Sequence, residues 1–232
     1  MATIIFDLDG TLVDTAPDLT AALNAVLGRE GLPTVPDDEA RPMIGRGVYT
    51  MLERALARAG AVDVEIGRLY QDFLTRYGEH LADRSRPYPG VVSALDSLVA
   101  AGCTLAVCTN KFEGHAVRLL TDLGLADRFA AICGQDTFPV KKPDPGALTG
   151  TLRRACGTPG RAVMVGDSET DIAAAKAVPM PVVAVDFGYT DVPVRELEPD
   201  RIISCYRDLP AAVAALLCGR AGGNRPDGPG AT

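Results

Sequence analysis

The sequence predicts an α/β protein: a doubly wound parallel (Rossmann-like) sheet with an α-helical module inserted after its first strand. Three observations predict it. Short apolar runs without polar alternation recur along the chain, as in strands covered on both faces. Amphipathic helical stretches separate most of them, which is βαβ order. One long stretch, from about Ala16 to Arg84, carries helical stripes and no strand.

The elements follow in order. Thr3 to Phe6 reads as a buried strand. In the strand-free stretch Leu19, Leu23, Val26 and Leu27 form one helical stripe. Val48, Met51, Leu52, Ala55, Leu56 and Ala59 form a second, and Ile66, Leu69, Tyr70, Phe73, Tyr77 and Leu81 a third. Three or four such helices predict a small bundle. It is bracketed by Thr15-Ala16-Pro17 and Arg86-Pro87-Tyr88-Pro89-Gly90, both with linker composition. Beyond them, Val91, Leu95, Leu98 and Val99 share a helical face, and Val117, Leu120 and Leu123 another. Strands are predicted at Leu105 to Cys108, Ala130 to Cys133, Ala162 to Val165 and Val182 to Val185, with a weaker sixth at Arg201 to Ser204. Asp144-Pro145 is an N-cap followed by proline at the first helical position. Asp208-Leu209-Pro210 opens a last helix, expected to end near Leu217. The domains expected are an α/β core of residues 1–15 and 87–218, a helical module of 16–86, and a Gly- and Pro-rich disordered tail of 219–232.

Composition narrows the function. The 232 residues are 47% hydrophobic, enough for a sizeable core. Thirty acidic against 23 basic residues give a net charge of −7, which argues against a nucleic-acid partner. Trp is absent, so stacking platforms for bases are not expected. No stretch approaches the roughly 20 apolar residues of a membrane span. The N-terminus has no basic segment before an apolar run, so no signal peptide is expected. Cys103, Cys108, Cys133, Cys156, Cys205 and Cys218 lack CxxC spacing and are expected to be small buried hydrophobes in a reducing cytoplasm. Monomer and dimer are equally open.

Four short clusters carry chemistry. Asp7-Leu8-Asp9-Gly10-Thr11 ends the first strand. Alternate strand residues share a side, so two carboxylates project together. They repel unless a cation lies between them or one is protonated. Oxygen ligands suit Mg²⁺, and a carboxylate also serves as a covalent nucleophile. Gly166-Asp167-Ser168-Glu169-Thr170-Asp171 again ends a strand in acids. Thr109-Asn110 offers a hydroxyl and free N–H groups suited to phosphate oxygens. Lys141-Lys142-Pro143-Asp144-Pro145 holds two of only four lysines. Singly, each has a plain alternative: a polar turn, acids favoured at a helix N-terminus, an N-cap, a solvated charge pair. All four fall at the edge where α/β sheets bind ligands, and the joint pattern is far more specific. Other features carry less. Gly45-x-Gly47 follows no strand, so it is no dinucleotide fingerprint, and no Gly-Lys dipeptide marks a Walker A loop. His80 and His115 have no nucleophile in a recognisable motif, and Met43 and Met51 read as core filler.

Asp7-x-Asp9-Gly10-Thr11, Thr109-Asn110, Lys142-Pro143-x-Pro145 and Gly166-Asp167-Ser168-x-x-Asp171 together resemble the four motifs of the haloacid dehalogenase superfamily. The inserted helices resemble its α-helical cap, and the resemblance spans residues 3–217. Phe6 to Pro17, Met43 to Val48, Leu52 to Leu56, Cys108 to Lys111, Lys141 to Pro145 and Phe187 to Thr190 resemble the members that act on phosphoglycolate. The resemblance implies roles. Asp7 attacks phosphorus and becomes an aspartyl phosphate. Asp9 protonates the leaving alkoxide and then activates water. Thr109 and the Asn110 backbone hold phosphoryl oxygens, and Lys142 balances charge, with Lys141 its rival. Mg²⁺ is expected at Asp7, the Asp9 carbonyl and Asp167, with Asp171 orienting that shell. Thr11, Gly45, Arg46 and Asn110 are the expected substrate contacts; the flexible backbone of Gly45-Arg46-Gly47 suits a substrate loop in which Arg46 is either a bidentate partner for a carboxylate or a plain surface arginine. The acid at position 9 implies a phosphatase or phosphomutase rather than a dehalogenase. The partner implied is a small phosphorylated metabolite, 2-phosphoglycolate foremost and another sugar phosphate as the alternative.

Overall fold

In the computed structural model, residues 1–61 and 63–221 are described. The chain opens with strand β1 (Thr3–Phe6) and the short β2 (Val13–Asp14). Four helices follow: α1 (Ala16–Arg29), α2 (Asp37–Ile44), α3 (Val48–Ala59) and α4 (Ile66–Glu79). Then come β3 (Arg86–Pro87), α5 (Val91–Ala100), β4 (Thr104–Cys108), α6 (Glu113–Asp122) and β5 (Ala131–Cys133). The chain continues through α7 (Pro145–Arg154), β6 (Ala162–Gly166), α8 (Glu169–Lys176), β7 (Val182–Val185), β8 (Arg201–Ile203) and α9 (Leu209–Ala221).

Six strands form one parallel sheet in the order β5-β4-β1-β6-β7-β8. β1 lies inside it, with Ile5 opposite Ala106 on one side and Met164 on the other. Its side chains serve both layers: Ile4 and Phe6 enter the core packed by α5, α6 and α9, and Ile5 the core packed by α7 and α8. That is why such a strand is apolar at every position rather than at every second one. Helices α1 to α4 enclose a third apolar cluster, in which Leu23, Leu52, Leu69 and Phe73 are fully buried.

Several expectations need correction. The two linkers are not plain coil: Thr15-Ala16-Pro17 is the N-cap and start of α1, and Arg86-Pro87 of the second forms β3, which pairs antiparallel with β2, Val13 with Pro87 and Asp14 with Arg86. Two-residue strands, one holding a proline, are too short to show a period. Val99 and Val117 are exposed; the buried faces are Val91, Ala94, Leu95 and Leu98 on α5, and Ala116, Leu119 and Leu120 on α6. Alanines complete those faces, and a stripe of large residues alone misplaces them. Cys108 and Cys133 are buried as expected, but Cys156, Cys205 and Cys218 are exposed. Helix α9 runs to Ala221, past the expected start of the disordered tail at Gly219. The rest of that tail, residues 222–232, lies outside the described residues. No helix among the described residues is long and apolar enough to cross a membrane.

Candidate active site

The acidic residues meet where the winding of the sheet reverses. From β1 the chain winds outward through β4 and β5, then crosses back to β6 on the other side of β1. A crevice opens beyond the strand ends at such a switch point. Asp7 follows β1, Thr109 follows β4 and Asp167 follows β6.

Lys142 reaches the same point from the loop before α7. Its side chain is 1% exposed, and Nζ lies 2.8 Å from Asp7 Oδ1 and 2.5 Å from Asp171 Oδ1. Asn110 Nδ2 donates to the Lys142 carbonyl at 2.9 Å and fixes that loop. Lys141 is exposed and lines the mouth of the cavity beside it, but its Nζ lies 3.4 Å from Gln135 Oε1 and forms no ion pair with Asp7 or Asp171 among the described residues. The geometry therefore separates two neighbours that the sequence left as rivals. Burial would lower the Lys142 pKa, but the charges of Asp171 and Asp7 outweigh it and raise it.

Asp171 is saturated by donors. Besides Lys142 at Oδ1, its Oδ2 accepts from Asp167 N (3.2 Å), Ser168 N (3.1 Å) and Ser168 Oγ (2.6 Å). An acid three residues into α8 reaching back to the first N–H groups is half of a capping box. Asp167 is held from two sides: Thr11 Oγ1 donates to Oδ1 and Tyr189 N to Oδ2, each at 2.7 Å. Space around it is tight. A Cβ on Gly10 would lie 2.5 Å from Asp167 Oδ2, and one on Gly188 would lie 2.2 Å away. Gly10 also has φ +79°, the left-handed region where glycine is favoured.

The arrangement fits a divalent cation. Asp7, Asp167 and Asp171 each offer an oxygen within 4.8 Å of the others. Asp7 Oδ1 is buried with no hydrogen bond directed at it; Lys142 meets it only as an ion pair. Burial, with the charge of Asp171 next, pushes Asp7 up to about 7 despite Lys142. Burial and then Asp7 hold Asp167 well above the usual carboxylate range. Four carboxylates, counting Asp9, face the two buried ammonium groups of Lys142 and Lys111. The deficit is the charge of one divalent ion, and hard cations take carboxylate oxygens.

Asp9 sits apart from that trio. Its Oδ1 accepts from Thr15 Oγ1 at 2.7 Å and lies 2.9 Å from Lys111 Nζ. Thr15 is the N-cap residue of α1, yet its hydroxyl serves Asp9 and makes no capping bond. Lys111 Nζ also donates to Tyr77 Oη, from α4, at 2.9 Å. Burial would lower the Lys111 pKa, but Asp9 and then Tyr77 outweigh it and raise it.

A cavity of about 140 Å³ lies between these groups and the four helices. Asp7, Asp9, Gly45, Arg46, Thr109, Asn110, Lys142 and Asp167 all line it. Thr11, expected to touch substrate, does not; its hydroxyl is spent behind the site on Asp167. Asp171 does not line it either. Arg46 is half exposed, with guanidinium nitrogens 3.3 Å from Glu169 Oε2 and 3.6 Å from Asp191 Oδ2. Gly45 lies against the chain at Tyr189, where a Cβ would come 2.1 Å from its carbonyl oxygen. His115 also faces the cavity, its pKa lowered by burial and then by Lys111. Sequence reasoning missed Lys111 and Tyr77. Lys111 directly follows Thr109-Asn110 and is one of four lysines, which was a usable signal. Tyr77 showed only the apolar period of α4.

The comparisons with known proteins agree with this geometry. The sequence profile of the haloacid dehalogenase-like hydrolases matches residues 4–185. A phosphoglycolate phosphatase of Mesorhizobium japonicum is 50% identical over 221 residues, covering 94% of this chain and 97% of that protein. One from Agrobacterium fabrum is 47% identical over 215 residues, covering 92% of each. Among solved structures, a predicted phosphoglycolate phosphatase from Haemophilus somnus superposes with a TM-score of 0.85 at 32% identity, covering 91% of this chain and 97% of that one. The chain thus belongs to the haloacid dehalogenase-like hydrolases, and within them it is a phosphoric monoester hydrolase.

Proposed function

We propose that the chain is a Mg²⁺-dependent phosphatase of small phosphate monoesters, with 2-phosphoglycolate as its substrate and an aspartyl phosphate on Asp7 as its intermediate. The observation that carries the reading is Asp7 itself: a buried carboxylate that lines the cavity, paired with a buried ammonium and clustered with two further carboxylates. A Asp7 carboxylate oxygen attacks phosphorus as the ester bond breaks, and Asp9 gives its proton to the departing alkoxide. Water then attacks the phosphorus, Asp9 takes its proton, and Asp7 and inorganic phosphate separate. Thr109 Oγ1 and the Asn110 backbone hold the phosphoryl oxygens, and Lys142 balances their charge against Asp7. Asp7, Asp167 and the Asp9 carbonyl hold Mg²⁺, which when bound neutralises phosphoryl charge as a Lewis acid. Asp171 orients Lys142 and the Asp167 loop, since all its donors are internal. Residues 16–86 act as a cap that excludes bulk water and reads the leaving group. The relatives named for phosphoglycolate support the small substrate. Six free cysteines suit a reducing cytoplasm.

The test is a kinetic screen of phosphorylated metabolites with Mg²⁺, following inorganic phosphate. The expected result is a kcat/KM for 2-phosphoglycolate above that for every hexose phosphate. Parity would overturn the substrate, and isomerised product without phosphate release would replace the phosphatase by a mutase.

Metal binding should release protons. At pH 6 Asp7 is largely protonated, because its pKa is pushed up to about 7. A cation at that carboxylate must displace the proton. Affinity for Mg²⁺ should therefore weaken as pH falls below 7, by about tenfold per pH unit for the proton on Asp7 alone. Without metal the sign for stability is the reverse. The folded state holds the proton more tightly than the unfolded chain, so stability falls as pH rises from about 4 to 7. Calorimetric titration in buffers of different ionisation enthalpy, with melts in chelator, checks both. No proton release at pH 6 would count against the metal at Asp7.

A further inference from the structure

Asp9, as the proton donor in the reading above, marks where the leaving-group oxygen sits. The neighbouring cations differ sharply in availability. Lys142 is committed to Asp7 and Asp171. Arg46 is half exposed and faces Glu169 and Asp191. Lys111 is buried, lines the cavity and stands 2.9 Å from Asp9 Oδ1. Among the described residues it is the buried cation on the leaving-group side. An ammonium has three N–H donors. Two protein oxygens approach this one, Asp9 Oδ1 and Tyr77 Oη, which leaves a third N–H. Tyr77 Oη accepts from Lys111, and no hydrogen bond among the described residues uses its own proton. Two unspent donors thus sit side by side, one from the core and one from α4, next to the acid that serves the ester oxygen.

We propose that Lys111 Nζ and Tyr77 Oη form the subsite for a carboxylate borne on the leaving group. A carboxylate one carbon from the ester oxygen falls within reach of a cation that touches Asp9. A longer acid carries its charge past it. The subsite rests on the functional reading above, and it makes Lys111, rather than the expected Arg46, the residue that distinguishes an acidic leaving group from a neutral one. It also explains a buried lysine bound to a helix of the inserted module: the carboxylate is read across the junction between the core and the helices.

The test compares 2-phosphoglycolate with ethyl phosphate, which has the same carbon count and no carboxylate. Both are assayed by kcat/KM in the wild type, Lys111→Met, Lys111→Arg and Tyr77→Phe, with melting curves for each. The wild type should prefer phosphoglycolate. Lys111→Met should cut that preference by about 10- to 100-fold, the range for losing a charged hydrogen bond. Tyr77→Phe should cut it a few-fold, chiefly through KM, and Lys111→Arg should keep part of it. A lysine that merely positions Asp9 would lower both substrates together and leave the ratio unchanged, which overturns the subsite while the functional reading stands. If Lys111→Met does not fold, an unchanged ratio in Tyr77→Phe overturns it instead. A wild type that shows no preference overturns the subsite and the phosphoglycolate reading together.

Discussion

Asp7→Asn is expected to abolish turnover, by a factor on the order of 10⁵, while leaving a folded protein. The substitution keeps the shape of the side chain and removes its charge and nucleophilicity. The buried cluster around it gains rather than loses. Asp7, Asp167 and Asp171 crowd within 4.8 Å, and burial together with mutual repulsion already drives Asp7 up to about 7. Taking one negative charge out of that group relieves repulsion. In chelator the variant should therefore melt no lower than the wild type at pH 8, where wild-type Asp7 is ionised. Mg²⁺ should raise its melting temperature less than it raises that of the wild type. The checks are phosphate release and thermal unfolding with and without the ion. Retention of wild-type turnover would remove Asp7 from the chemistry, and with it the aspartyl phosphate.

Lys142→Met should cost both stability and activity. The ammonium is 1% exposed and touches two carboxylates, so its loss leaves buried charges uncompensated. Breaking a buried ion pair by removing one partner costs about 3–5 kcal/mol. The loss should be largest above pH 7, where Asp7 is ionised, and should shrink toward pH 5 as Asp7 takes up a proton. Activity should fall by roughly 10³-fold or more, since nothing else among the described residues offers a cation to Asp7. Lys141→Met is the natural control. That side chain is exposed, and its one hydrogen bond among the described residues is to Gln135, so the substitution should change stability by less than about 0.5 kcal/mol. Denaturant unfolding of the two variants at pH 5 and pH 8 decides the matter. Equal effects at the two lysines would contradict the placement of Lys142.

Stretches whose signal is local were read correctly. β1, β6 and β7 are continuous apolar runs because both faces of the sheet are covered, and that leaves an unbroken trace in composition. The Asp144-Pro145 helix start is equally local: the Asp144 carboxylate accepts from Gly146 N at 2.7 Å. Where small residues complete a face the reading slipped, as at Val99 and Val117. Thr11 is the instructive error. Its place in the Asp7-x-Asp9-Gly10-Thr11 run suggested substrate contact, but its hydroxyl turns to Asp167, 156 positions away. No window of neighbouring residues contains that partner.

Legible in the linear sequence were the six strands of the main sheet, the helical stripes between them, and the acids that follow β1 and β6. Periodicity and strand ends are properties of adjacent residues, so a linear reading captures them. Legible only in three dimensions were which of two adjacent lysines pairs with Asp7 and Asp171, which hydroxyls support Asp9 and Asp167, and that Lys111 meets a tyrosine of α4. Those choices depend on burial and on pairs brought together by the parallel crossovers, and a charged side chain is drawn inside only where such a partner waits for it.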